Sequence, residues 1–305
     1  MSLRLVYPSL FGQHVEAKVI SCLREKSYEN TIGMRTVPII TLLSDFGLKD
    51  PYVAEMKAVI LSICPEARLM DISHEIEKFN IRMGAFVLVS ATPYFPKQTI
   101  HVAVVDPGVG TKRRPIIVET QSSFYVGPDN GVLMLAARNE GIRHVYHVTS
   151  PRFMRSDVSK TFHGRDIFAP SAAHLAKGRA LSEAGPEIHD YVLPAFAKPH
   201  VGAAGLSGEI LYIDDFGNLV SNISIEDLKQ LGIGEGDAFV VEFKRRQLSV
   251  RLCSAYGDVP VGSPLAIIGS SDFLEFSVNQ GNAAEVFGVT IGERVLVSSQ
   301  SRVLD

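Results

Sequence analysis

The stretch VVDPGVGTKRRP, residues 104–115, ends an apolar run in an aspartate, follows it with a Pro-Gly-Val-Gly turn and places two arginines just beyond. The stretch could be a phosphate cradle, an ordinary turn between strands, or a catalytic loop in which a carboxylate and a guanidinium, Asp106 and Arg113, face one another. A phosphate cradle does not fit the spacing. A dinucleotide fingerprint needs G-x-G-x-x-G opening a helix, and a P-loop needs Lys-Ser/Thr after its second glycine. Here the glycines lead through KRRP into another apolar run. On this stretch alone, a tight turn between strands and a loop that pairs Asp106 with Arg113 both remain open. FHGRDIFAP (162–170) adds His163, just ahead of a helical apolar face of Ile167, Phe168, Ala172 and Leu175. A lone loop histidine is more often a solvated or capping residue, and without an HExxH or His-x-His pattern no metal site is expected. IDDFGNLVSNI (213–223) reads as a hairpin turn with Gly217 and Asn218 at its tip. It lacks the HRD loop and β3 lysine that a kinase DFG requires.

The elements that must hold these residues alternate. PIITLLSDFG predicts a strand, and DPYVAEMKAVILSICP a helix with Val53, Met56, Val59, Ile60 and Ile63 on one face. Asp50 takes the N-cap position, with Pro51 first in the helix. Strand ARLMDIS, helix IRMGAFVLVSATPYF and strand TIHVAVVD follow, then strands RPIIVET and SFYVGPDN, a helix over about 131–139 and another over IFAPSAAHLAKG. This order predicts an α/β domain with a largely parallel sheet and a site at the carboxyl ends of its strands. Asp45, Asp71 and Asp106 close the first three strands, which suggests a polar crevice there. Residues 191–208, rich in Pro, Gly and Ala, read as a linker. Beyond it GEILYIDDFGNLVSNI, DAFVVEF, RQLSVRL, PLAIIGSSDFLEFSVN and ERVLVSS predict a smaller antiparallel β-barrel domain. The domains expected are therefore 37–195 (α/β, catalytic) and 206–305 (barrel). Residues 1–33 are read as an extension outside the fold argument.

Composition narrows the functional class. The 305 residues are 46% hydrophobic and 21% charged, the pattern of a globular chain. Thirty Lys and Arg are scattered among 33 Asp and Glu, for a net charge of -3. That leaves no footprint for nucleic acid or an anionic membrane, so small-molecule chemistry is the expectation. No apolar run reaches the roughly 18–20 residues of a membrane span. The first 33 residues lack the apolar core and cleavage site of a secretion signal. Cys22, Cys64 and Cys253 are odd in number and far apart, as expected of a chain in a reducing cytoplasm.

Six motifs in order, SDFG (44–47), VVDPGVGT (104–111), GPDNG (127–131), FHGRDIFAP (162–170), IDDFGNLVSNI (213–223) and GSSDFLEFSVNQGNAAE (269–285), together resemble the adenosine-forming S-adenosyl-L-methionine (SAM) hydrolases. These are also called SAM hydroxide adenosyltransferases and are relatives of the fluorinase and chlorinase. The resemblance covers about 37–297. It implies an α/β domain, a C-terminal barrel domain, and a homotrimer whose sites lie between the α/β domain of one subunit and the barrel of its neighbour. It places the family's Asp-Arg-His constellation on Asp106, Arg113 and His163. Asp45 resembles the carboxylate that holds the ribose hydroxyls, and Phe79 the aromatic beside the sugar and adenine. Asp214 and Asn218 resemble the groups that hold the methionine end, with Phe216 near the adenine. Ser270, Glu275, Val278 and Asn279 lie on the final motif, and Asp50 and Tyr52 are weaker candidates. SAM is then substrate, no cofactor is implied, and adenosine is a candidate for a bound product.

The chemistry implied by the resemblance suits these residue types. Attack at the ribose C5′ of a sulfonium expels neutral methionine, so the site must mainly fix the ribose and present a nucleophile. Arg113 favours developing hydroxide, while Asp106 and His163 can accept its proton. A carboxylate about 4 Å from a halide repels it by roughly 4 kcal/mol at an effective dielectric of about 20. The halogenases resembled here carry a tyrosine in place of Asp106 and a serine in place of Gly164, and the fluorinase has a longer insertion after the loop. All three departures point to water. The alternatives are a SAM- or adenosine-binding sensor or scavenger with incidental turnover, and a halide-dependent adenosyltransferase.

Overall fold

The computed structural model describes residues 37–244 and 246–299; the extension over 1–33 lies outside them. Six strands build the first sheet: β1 (Ile39–Ser44), β2 (Arg68–Ser73), β3 (Ile100–Val104), β4 (Pro115–Thr120), β5 (Phe124–Pro128) and β6 (Ile142–His147). Their order is β2-β1-β3-β5-β4-β6. The β2-β1-β3-β5 pairs are parallel, and β4 runs antiparallel to both β5 and β6. Every residue of β3 is buried, as the continuous apolar run IHVAV requires of a strand covered on both faces.

Helices α1 (Tyr52–Ile63) and α4 (Ala169–Ala176) cover one face of this sheet, where Met56, Ile60, Ala172 and Ala173 meet Ile40, Leu42 and Val102. The other face carries α2 (Ile81–Ala91) and α3 (Met134–Glu140), with Ala85, Leu88 and Met134 against Leu43, Ala103 and Val118. Leu211, Val220 and Phe273 of the second sheet join that same core, and the Phe86 ring stacks on Tyr212 at 4.8 Å.

The second sheet is a closed barrel. Its strands are β7 (His200–Gly202), β8 (Gly205–Ile213), β9 (Leu219–Ser224), β10 (Ala238–Phe243), β11 (Arg246–Cys253), β12 (Pro264–Ile268), β13 (Phe273–Val278) and β14 (Arg294–Ser299). The order β14-β10-β11-β12-β13-β9-β8 closes through β14 pairing with β8, and β7 adds to β8. Closure leaves the ring without a free edge. Leu206, Ile210, Phe239, Val241, Leu274 and Phe276 fill it. Short helices α5 (Ile225–Gln230) and α6 (Ala283–Phe287) lie against it.

The α/β lobe with a barrel behind it is the architecture expected from the sequence. Several local readings change. One barrel pair, β11 with β12, is parallel. The stretch read as a linker contains β7 and the start of β8, because alternate apolar residues such as Leu206 give it a barrel face to join. The helix placed over 131–139 begins at Met134, after Asn130 accepts from the Val132 amide and turns the chain. Asp50 does not cap α1: the cap position is Pro51, one residue on, with no side-chain cap bond. Asp71 lies within β2 rather than at its end, and pairs with Lys57 instead of facing the crevice.

Candidate active site

The carboxyl ends of β1 and β3 are adjacent because those strands pair directly. Asp45 follows the last residue of β1, and Asp106 stands two residues past the end of β3. Together with the loop ahead of α4 they wall a cavity of about 230 Å³. Of the residues expected at the site, Asp45, Asp50, Tyr52, Phe79, Asp106, His163 and Gly164 line it. Phe46, Lys78, Val104, Val109, Thr161 and Phe162 complete it.

Arg113 stands behind this wall. Its Nε donates to Asp106 Oδ1 at 3.1 Å, and one Nη2 group reaches both Asp106 Oδ2 and, at 3.0 Å, His163 Nδ1. The Arg113 and Asp106 side chains are 7% and 5% exposed. The ring of Phe168 lies 5.4 Å from the Arg113 guanidinium carbon, and Nη1 is buried with no hydrogen-bond partner among the described residues. A guanidinium only donates, so His163 must accept at Nδ1 and carry its proton on Nε2. Burial and the adjacent Arg113 charge both hold the His163 pKa below its ordinary value, which favours that neutral form. Burial pushes Asp106 above the usual carboxylate range, against the opposing pull of Arg113.

The turn that brings these groups together depends on Gly110. Its φ is +75°, and a Cβ there would overlap the Lys160 carbonyl oxygen, so only glycine lets the 106–113 loop rest against the strand of chain that leads to His163. GPDNG is a brace behind the loop. Asn130 Nδ2 donates to the Val105 carbonyl at 2.8 Å, and Asp129 accepts from Arg114 Nε at 2.9 Å and from the Val192 amide at 2.8 Å. The two consecutive arginines thus divide, Arg113 toward the cavity wall and Arg114 toward the brace. His163 opens a π-helical turn over Gly164–Phe168. Asp166, fully buried, holds that turn through Arg165 Nε at 2.8 Å and the Ser159 amide at 2.9 Å.

At the other end of the cavity, Asp45 Oδ2 accepts from the Phe79 amide at 2.9 Å. Lys78 donates to the Asp45 carbonyl oxygen. Phe79 reaches this position with φ at +65°, an uncommon conformation for an aromatic residue, and the residue is 66% exposed. Oδ1 of Asp45 has no hydrogen bond from another described residue, so the carboxylate keeps acceptor capacity for a ligand.

A second cavity, of about 730 Å³, opens on the barrel. Asp214, Phe216, Asn218, Val278 and Asn279 line it as expected, joined by Tyr256, Gln280, Gly281 and Asn282. Asp214 is set by its own turn: Oδ1 accepts from the Phe216 and Asn218 amides at 3.0 and 2.9 Å, and Oδ2 from Asn218 Nδ2 at 2.9 Å. Glu275 is not in the lining. It sits behind Tyr256, whose hydroxyl donates to Oε1 at 2.7 Å. Ser270 lines neither cavity; it is exposed, and its carbonyl lies 3.4 Å from the Tyr94 hydroxyl. Among the described residues no group of three His, Cys, Asp or Glu side chains is placed to hold a metal ion. No helix among them is long and apolar enough to cross a membrane.

The cavity thus brings together a buried carboxylate–guanidinium–imidazole cluster at parallel strand ends and a second carboxylate, Asp45, across the same space, in a chain of two lobes. The family is resolved by sequence models: residues 40–185 match the SAM hydroxide adenosyltransferase N-terminal domain and 208–296 the C-terminal domain of the same name. The chain belongs to the SAM hydroxide adenosyltransferase family. It is 39% identical over 272 residues to the (R)-S-adenosyl-L-methionine hydrolase of Salinispora tropica, covering 87% of this chain and all of that protein. It is 38% identical over 260 residues to the protein of the same name from Thermus thermophilus, covering 83% and 96%. A fluorinase from Actinoplanes is more distant, at 29% over 290 residues, covering 86% and 97%. Among solved structures, a conserved protein of Thermotoga maritima aligns with a TM-score of 0.75 at 38% identity, over 85% of this chain and 99% of that one.

Proposed function

We propose that the protein hydrolyses SAM to adenosine and L-methionine. The oxygen of a bound water attacks the ribose C5′, the C5′–S bond breaks, and its electron pair leaves with methionine as a neutral thioether. The observation that carries this reading is the Asp106–Arg113–His163 cluster in the same cavity wall as Asp45. Asp45 would accept hydrogen bonds from the ribose hydroxyls, charge-assisted and therefore strong. The proton of the attacking water goes to Asp106. His163 Nδ1 is already occupied by Arg113 and Nε2 holds the proton, whereas each Asp106 oxygen keeps a lone pair. Burial strengthens the base, and Arg113, which does not line the cavity, acts by its field and by fixing both partners. A carboxylate in this position also disfavours a halide nucleophile.

The same reading makes the protein a homotrimer in the cytoplasm, with each site formed between the α/β lobe of one subunit and the barrel of the next. What supports it is that the two cavities share no lining residue, and that each carries an exposed aromatic residue, Phe79 at 66% and Phe216 at 78%. Asp214, Asn218 and Tyr256 would then meet the methionine end, Phe216 the adenine, and adenosine would remain as a bound product. No cofactor takes part.

Purified protein incubated with SAM, with and without halide, is expected to release adenosine and methionine in equal amounts, read by chromatography with mass detection. Halogenated nucleoside would replace this reading with an adenosyltransferase, and bound but unchanged SAM would replace it with a sensor. Composition of the site across subunits has its own test. Asp106→Asn and Asn218→Ala variants, each inactive alone, are mixed under subunit exchange. Random assembly joins an intact α/β half to an intact barrel half at about one quarter of the sites, and activity returns in that proportion. No recovery after demonstrated exchange would refute sites shared between subunits.

A further inference from the structure

We infer that His74 is a positioning residue for the nucleoside-binding carboxylate Asp45, acting through Ser44, and that it selects for ligands bearing ribose hydroxyls; this rests on the reading of Asp45 proposed above. Ser44 and His74 are both buried, 0% and 4% exposed, and Ser44 Oγ lies 2.7 Å from His74 Nδ1. Ser44 Oγ also accepts from the Phe46 amide at 3.3 Å. One hydroxyl has one proton, so the Ser44 O–H is free to donate to Nδ1, which leaves the His74 proton on Nε2. There it faces Asp71 Oδ1 at 3.1 Å, an ion-pair distance without the alignment of a hydrogen bond. Asp71 is held in turn by Lys57 at 2.6 Å.

A serine, a histidine and an aspartate in line suggest a nucleophilic triad, but Ser44 is closed to any substrate by its burial. What the line does reach is the backbone around Asp45. Ser44 immediately precedes it and Phe46 immediately follows. The His74 carbonyl accepts from the Gly47 amide at 2.7 Å, so one residue grips the 44–47 turn by side chain and main chain together. Lys78 and Phe79, four and five residues further along the same loop, hold the Asp45 carbonyl and carboxylate. The loop after β2 is thus a cradle for the turn after β1, and His74 is its buried member, bonded to the last residue of β1. Asp71, misplaced by the sequence reading as a crevice residue, has its place here at the exposed end of the line.

The test compares adenosine with 2′,3′-dideoxyadenosine by calorimetry on the full chain. His74→Leu is expected to weaken adenosine binding roughly tenfold, the scale of a lost hydrogen bond to a charged group, and to leave the dideoxy ligand within about twofold. His74→Asn, whose amide oxygen takes the place of Nδ1, is expected to restore most of the difference. Asp71→Asn, on the exposed end and safe for folding, should show the same pattern at smaller amplitude. Equal weakening of both ligands, or none of either, overturns the inference. Wild-type protein that binds no adenosine would instead defeat the reading of Asp45 as the ribose ligand, while adenosine release from SAM decides the proposed function separately. In that event the positioning claim is decided by amide hydrogen exchange: Phe46 and Gly47 must exchange faster in His74→Leu than in wild type while the β3 amides do not, and unchanged exchange overturns it.

Discussion

Replacing Asp106 by Asn separates what the Asp–Arg pair does for chemistry from what it does for the fold. The Arg113 side chain is 7% exposed and its two strongest bonds end on the Asp106 carboxylate. An amide there removes the counter-charge and turns one former acceptor into a donor facing Nη2. A buried charge left unpaired costs about 3–5 kcal/mol. At about 2–4 °C per kcal/mol, the scale for domains of some 150–250 residues, the melting temperature should fall by roughly 6–20 °C. Turnover should fall by about 100- to 10,000-fold if Asp106 is the general base, while nucleoside binding at Asp45 persists. Adenosine release by chromatography and unfolding by scanning fluorimetry measure the two losses. The double variant Asp106→Leu/Arg113→Met decides between them, since replacing a whole buried ion pair by apolar groups is often neutral or stabilising. It should recover the melting temperature and none of the activity. Activity within threefold of wild type in Asp106→Asn would refute its role as base, and an unmoved melting temperature would refute the buried pairing.

Three further outcomes follow from single contacts. Gly110→Ala should disable turnover more than it lowers stability, because the Cβ drives the 106–113 loop off Lys160 and breaks the Arg113–His163 contact; wild-type kcat in that variant refutes the account. Gly164→Ser brings a Cβ to 3.1 Å from Met56 Sδ and 3.3 Å from Phe162, an overpacking of about 1–3 kcal/mol that chemical denaturation can read, and by itself it should produce no halogenated nucleoside. His101, buried in β3 beside Thr41, has its pKa pushed by desolvation from 6.5 down to about 3. Its unfolded form binds the proton first, so stability is full above pH 6.5 and falls by about 1.4 kcal/mol per pH unit between there and pH 3. His101→Phe should flatten that limb in urea titrations, and an unchanged slope would refute the assignment.

Legibility in the sequence followed the physics of each residue. Continuous or alternating apolar runs revealed β1, β3 and most of the barrel strands, because burial on a face leaves a period. Asp45 and Asp106 were legible as cavity residues because they follow apolar runs at the ends of parallel strands, whereas His163 and Gly164, ahead of a helix, were placed at the site only through the resemblance of FHGRDIFAP. β6, reading IRHVYH, and the three-residue β7 escaped because half-polar edge strands carry no comparable pattern. Lys78 escaped because its contact is with the Asp45 carbonyl oxygen, 33 residues away in the chain, and no local pattern marks that approach. Tyr256 escaped for want of any motif around it: a three-residue 3₁₀ turn places it, and only the fold brings Glu275 to its hydroxyl. The π-helical turn at Gly164–Phe168 had no signal of its own either, although its buried anchor Asp166 lay within the motif that located His163.

On the proposed mechanism, the strength of Asp106 as a base is a balance of two opposing effects, and the fold sets both. An exposed aspartate, with a pKa near about 3.9, is too weak a base to draw a proton from water. Burial alone would correct that too far, since a desolvated carboxyl tends to take up its proton and cease to be a base at all. Arg113 opposes the desolvation, and it does so from behind the cavity wall, where it holds the charge on Asp106 without occupying the space a water needs. The same guanidinium claims His163 Nδ1 and lowers the competing affinity of the imidazole. Lysine at 113 would keep the charge but lose the fork that binds both partners. The sequence distance between Asp106 and Arg113 therefore has to be spanned by a turn tight enough to bring a planar group edge-on to the carboxylate, which is the turn that Gly110 permits.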